Sequence, residues 1–207
     1  MEKIIFHKET KTFHLYNEEI SYIMCVLENG HMGQLYYGKR IHDKPDFSYL
    51  VEKCGRPMTS YIFEGDRSFS LEHIRQEYPV YGTTDYRHPA IEIMQENGSN
   101  ISEFKYVGYE ILKGKPSLKG LPATYTESEE EAETLKIILK DSLTGAKLTL
   151  LYTIFSKGSA IARSAHICNE GEKVLHLQTM MSLNLDLPDK DYVWMQLSGA
   201  WSRERYV

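Results

Sequence analysis

Cysteine is scarce and odd in number: Cys25, Cys54 and Cys168 are the only three in 207 residues, widely spaced and without a CxxC pair. That is the pattern of reduced thiols, not of a disulfide framework or a thiolate zinc site. Long apolar runs are missing as well. The N-terminal MEKIIFHKETKTFHLY has no extended apolar h-region, and no stretch approaches the roughly 18 apolar residues of a membrane span. A cytoplasmic chain with no membrane partner is the expectation. There is no Lys/Arg-rich run, and the net charge is −5 with a pI near 5.9, so no nucleic-acid partner is expected. The eight histidines, His7, His14, His31, His42, His73, His88, His166 and His176, form no HxH, HExxH or His–Cys cluster. GxSxG is absent, and the glycines of GHMGQLYYG have no phosphate-loop lysine beside them. No metal, nucleotide or other cofactor is expected. Helical periodicity is nearly absent too, with SLEHIRQ (70–76), led by Ser70 as N-cap, as the one helical segment expected.

What remains is β-signal. The runs KIIFH, TFHLYN, ISYIMCVL and HMGQLYYG are separated at hairpin lengths by Asn17-Glu18-Glu19 and Glu28-Asn29-Gly30, which predicts a meander. Periodicity stops between Gly38 and Phe63, predicting a long ordered loop, a length uncommon without a functional reason. It resumes at AIEIMQ (90–95) and at ISEFKYVGYEIL (101–112), read as a strand with Ile101, Glu103, Lys105, Val107 and Tyr109 on one face. KGKPSLKGLPATY (113–125) is too rich in glycine and proline for a regular element. ESEEEAE (127–133) reads as a solvated turn or short helical turn, its glutamates lacking the spacing of a calcium loop. TLKIILKD, AKLTLLYTIF, AIARSAHICN and KVLHLQTMMSLNLDL then follow one another through glycine-bearing turns, predicting consecutive antiparallel strands. The fold class is all-β, an antiparallel β-sandwich. At 207 residues one domain, 1–207, accounts for the chain, burying roughly 70% of its unfolded surface.

The stretch Glu64–Pro89, EGDRSFSLEHIRQEYPVYGTTDYRHP, differs from the rest. Asp66-Arg67 and Asp85-Tyr86-Arg87 repeat an acid-near-arginine pattern, with Tyr78, Tyr81 and Tyr86 interleaved. Guanidinium forks and carboxylates hydrogen-bond paired sugar hydroxyls or each other, and tyrosine faces support a polar ligand. Two readings follow from the residues: a carbohydrate site, or a long loop tied down by its own Asp–Arg pairs.

RSFSLEHIRQEYPVYGTTDYRHPA, KGKPSLKGLPATY, EEEAETLKIILKD (129–141) and SGAWSRERYV (198–207) resemble, in collinear order over nearly the whole chain, the N-terminal portion of glycoside hydrolase family 36 α-galactosidases. The resemblance implies a mutarotase-like β-supersandwich that continues past Val207 into a catalytic (β/α)₈ barrel. It implies retaining hydrolysis of terminal α-linked galactose in oligosaccharides such as melibiose and raffinose. Such chemistry needs two carboxyls about 5–5.5 Å apart, and the family places both in the barrel, so no catalytic residue is assigned here. Family members commonly form homo-oligomers in which N-terminal loops reach a neighbour's barrel mouth. On that basis Asp66, Arg67, Asp85 and Arg87 are the substrate-binding candidates, Asp85 and Arg87 alternatively bracing the loop. Two other functions stand beside this one: a free-standing carbohydrate-binding sandwich, and a mutarotase-like epimerase with His166 or His176 as its acid or base.

Overall fold

The structure, a computed structural model, describes residues 3–55, 57–120 and 123–206. Leu121 and Pro122 of the Lys113–Tyr125 link, Arg56 of the 38–63 loop, Met1 and Glu2 of the N-terminal MEKIIFHKETKTFHLY, and Val207 at the end of SGAWSRERYV lie outside the described residues. Two four-stranded antiparallel sheets dominate. The first is the meander β1 (Ile4–His7), β2 (Thr12–Tyr16), β3 (Ile20–Val26) and β4 (Met32–Lys39), and its strand order follows the sequence. The second runs β6 (Phe104–Lys113), β7 (Ala132–Asp141), β8 (Ala146–Phe155) and β9 (Ile161–Asn169). A pair, β5 (Ile91–Gln95) with β10 (Leu175–Met180), and a small hairpin, β11 (Ser198–Ala200) with β12 (Arg203–Tyr206), complete the set.

Alternation builds the main core. In β8, Ala146, Leu148, Leu150 and Tyr152 point inward while Lys147, Thr149 and Leu151 do not, as a strand with one packed face requires. Leu135, Ile137 and Leu139 of β7 do the same, and both strands meet Ile4, Phe13, Leu15, Tyr22 and Met24 of the meander. Strand β3 is buried on both faces. Its second face, with Ile23 and Cys25, packs against Leu35, Phe47, Phe69, Leu71 and Ile74 in a separate cluster. The irregular residues between β4 and β5 are therefore a third layer laid over the outside of the meander. Cys25 is buried, Cys54 exposed and Cys168 half-buried, and all three are free thiols.

Three expectations need correction. SLEHIRQ makes one turn, not a helix: His73 and Ile74 both donate their N–H to Ser70 O, and the chain then straightens. Backbone bonding to β4 takes over, with Gln34 N donating to Arg75 O and Glu77 N donating to Met32 O. Strand β6 starts at Phe104, and a bulge between Tyr106 and Gly108 reverses the parity of its faces. Tyr109 thus joins Phe104 and Tyr106 on the inner side, packing on Phe6 and Phe13, while Val107 is 62% exposed. Finally, β10 does not extend the sheet beyond β9; it crosses to pair with β5. The acidic segment forms the short helical turn expected of it, a 3₁₀ turn over Glu129–Glu131.

Candidate functional site

The repeated acid-near-arginine pattern corresponds to a repeated backbone unit. Phe63–Asp66 and Gly82–Asp85 are both tight turns closed by a β-bridge between their end residues. Each aspartate then accepts the N–H of the residue two positions on, Ser68 at 2.8 Å and Arg87 at 3.1 Å. Asp and Asn favour this local bond because a short side-chain acceptor can imitate a backbone turn. In the first unit Gly65, at φ +83°, takes the left-handed position at no steric cost. The second places Thr83 and Thr84 there, at φ +51° and +72°. For β-branched residues that geometry is strained, on the order of 1 kcal/mol or more each. It is held from the side: Leu71 N donates to Thr84 Oγ1 at 3.2 Å, and Arg87 Nη2 donates to Leu71 O at 2.9 Å.

The two aspartates differ in what they are free to do. Asp66 lies at the surface, where Oδ1 accepts both the hydroxyl and the N–H of Ser68, which together hold its carboxyl below the usual range. Asp85 is buried. Its Oδ1 accepts Arg87 Nε at 2.9 Å and its Oδ2 accepts Arg87 Nη2 at 2.9 Å, the side-on fork that a planar guanidinium favours. Gln76 Nε2 donates to the same Oδ2 at 2.7 Å. A ligand cannot reach Asp85, so its work is to hold Arg87, whose side chain is half exposed. Arg67 is exposed, and among the described residues its guanidinium has no ion-pair or hydrogen-bond partner. The structure thus joins Asp85 to Arg87 and leaves Asp66 and Arg67 unpaired with each other.

A second polar cluster was not singled out by sequence. Glu77 is fully buried beside Tyr22 Oη at 2.6 Å, Tyr152 Oη at 2.8 Å and Arg163 Nη2 at 3.4 Å. Burial pushes its carboxyl up, opposed by the guanidinium and the two phenols. Both tyrosines are held neutral, pushed well up by burial and by the Glu77 charge. Arg163 also lies over the Tyr152 ring, 4.6 Å from its centroid, and a pocket of about 250 Å³ opens beside it between Tyr37, Ile161 and Leu185. The available signal was a lone arginine inside the apolar strand sequence AIARSA. His166 and His176, by contrast, lie on β9 and β10 in different sheets, both exposed, and among the described residues neither is paired with a carboxylate.

A solved α-galactosidase from Lactobacillus brevis superposes on 97% of this chain with a TM-score of 0.92 and 38% identity, the chain covering 27% of it. The sequence profile of the glycosyl hydrolase family 36 N-terminal domain matches residues 30–207. The chain belongs to this family. Alpha-galactosidase AgaA from Geobacillus stearothermophilus is 42% identical over 204 residues, which are 99% of this chain. The chain spans 28% of that relative's length. A variant of AgaA solved in complex with raffinose superposes with a TM-score of 0.88 at 43% identity, over 95% of this chain and 27% of its own. Within this family-36 domain, Arg67 and Arg87 of the 63–67 and 82–87 turns are exposed on the third layer.

Proposed function

We propose that the chain serves as the N-terminal domain of a retaining α-galactosidase acting on terminal α-linked galactose in oligosaccharides such as raffinose and melibiose. Similarity to α-galactosidases along 99% of the chain carries this reading. The two catalytic carboxylates then lie outside these 207 residues, on a barrel against which this domain packs. Domain 1–207 contributes scaffold, subunit contacts in a homo-oligomer and a rim to the sugar site. Arg67 is the first rim group, since its guanidinium is exposed and unpaired among the described residues, and Asp66 beside it accepts sugar hydroxyls. Arg87 is the second, with Asp85 as its brace. Three free thiols support a cytoplasmic protein. The test is hydrolysis of a chromogenic α-galactoside by the 207-residue chain and by the longer protein that carries it. Turnover by the longer protein alone is expected, and turnover by the isolated chain overturns the assignment.

A further inference from the structure

The fork between Asp85 and Arg87 is the outer end of a longer buried chain. Gln76 Nε2 donates to Asp85 Oδ2 at 2.7 Å, and Gln76 Oε1 faces His31 Nδ1 at 3.4 Å. Gln76, Asp85 and His31 are all buried. The direction of every bond follows from its outer end. A guanidinium only donates and a carboxylate only accepts, so Gln76 must turn its amide nitrogen to Asp85 and its oxygen inward. Neutral His31 must then carry its proton on Nδ1, which leaves Nε2 a bare acceptor. That atom is indeed buried without a partner, 3.9 Å from Glu103 Oε1. Gln76 is itself fixed at the backbone, bridged to Gly33 and with its carbonyl accepting Asn184 Nδ2 at 2.9 Å.

We propose that Gln76 is a positioning residue for Arg87, fixing the guanidinium through Asp85 so that the Nη1 edge faces outward for sugar hydroxyls; this rests on the reading of Arg87 as a rim group. Nε and Nη2 are spent on Asp85 and Leu71, which leaves the two hydrogens of Nη1 as the presented donors. Tyr86, the residue before Arg87 in the chain, is 62% exposed and edge-on to Tyr81, and offers an apolar ring face. That pair of features suits vicinal hydroxyls on a pyranose ring. Without Gln76, Asp85 loses the inner donor on its Oδ2, and the fork keeps its two bonds but not its direction.

Kinetics with raffinose in the longer protein test this. R87A raises KM about tenfold at unchanged kcat, the loss of one charged hydrogen bond. Q76L raises KM severalfold, and Q76L/R87A is no worse than R87A alone. Q76E keeps the side-chain size and supplies a donor to Asp85 only while protonated, so its KM matches wild type at the acid end of the pH range and climbs towards that of Q76L as pH rises. A structural defect would not follow pH in this way, and Q76E reports even where Q76L does not accumulate folded. Wild-type KM in Q76L, or in Q76E at every pH, beside a raised KM in R87A overturns the proposal. An unchanged KM in R87A overturns the rim reading instead. The relay is then decided by NMR exchange of the Arg87 Nε–H: slow in wild type and fast in Q76L sustains it, and equal rates overturn it.

Discussion

Tyr22 on β3 donates its hydroxyl to Glu77 Oε1 at 2.6 Å, joining residues 55 positions apart in the chain. Tyr152 of β8 meets the other oxygen, and Arg163 of β9 meets the same side, with Nη1 reaching Asn184 O at 2.9 Å. One carboxylate therefore ties together the meander, the second sheet and the irregular third layer. It sits one residue from Gln76, so the segment that carries the candidate site is pinned at its middle.

Removal of that carboxylate leaves the Arg163 guanidinium buried and uncompensated. E77A is expected to lower stability by about 3–5 kcal/mol. Y22F removes one neutral donor and is expected to cost about 1 kcal/mol. Urea unfolding of the two variants and their double mutant checks this, and additive losses would show that the two groups do not act together.

A second tie is titratable. His14 is buried, with Nδ1 at 2.7 Å from Asp43 Oδ1 and Nε2 at 2.9 Å from Ser21 Oγ, while His7 Nε2 shares the same Asp43 oxygen at 2.9 Å. Burial pushes His14 below its ordinary 6.5, against the pull of Asp43 and with His7 and Arg40 adding to the fall. A histidine with a depressed folded pKa contributes stability that is fully present above 6.5 and is lost as pH falls through the lowered value. Unfolding midpoints should therefore drop between pH 7 and pH 5, and H14N should flatten that drop; an equal slope in both proteins would discount His14.

Two turns at one end of the second sheet come into close contact at glycines, with Glu170 N donating to Gly145 O at 3.2 Å. A Cβ on Gly171 would stand 2.0 Å from Thr144 O, and one on Gly145, at φ +77°, would stand 2.7 Å from Gly171 Cα. G171A is expected to cost about 2 kcal/mol by overpacking. Gly55, with nothing within 4 Å of an added Cβ and no positive φ, is the control. Thermal unfolding of G171A and G55A should separate them by several degrees.

The hairpins were legible because their information is local. Alternation in KLTLLYTIF, Asn-Gly in the third turn and glycines between the later runs mark strands and direction without reference to distant residues. Partner choice is not local. Nothing in KVLHLQTM says that it pairs with IEIMQ 80 or so residues upstream instead of with its neighbour, and the bulge at Val107 leaves no mark on the alternation of FKYVGYEIL. The site divides the same way. Asp85 and Arg87 are two apart, so their pairing was readable as one of two alternatives. Gln76 and His31 reach them only after the chain has folded over β4, and Glu77 looks like an ordinary surface glutamate until Tyr22, Tyr152 and Arg163 close around it.

The two arginines of the repeated turn give the sharpest contrast. Arg67 is exposed and, among the described residues, unpaired, so R67A removes nothing that holds the fold. Its melting temperature should stay within a degree or so of wild type while KM for raffinose rises or subunit association weakens. Arg87 is the partner of a buried carboxylate, and R87A leaves Asp85 with Gln76 and one backbone N–H as its remaining donors. That variant should lose about 2 kcal/mol in addition to its kinetic effect, because a buried charge is left short of donors. Kinetics and calorimetry on R67A, R87A and D85N in the longer protein separate the roles. A large stability loss in R67A with normal kinetics would make Arg67 scaffold, and an unperturbed melt in R87A would mean that the Asp85 fork does not form in solution.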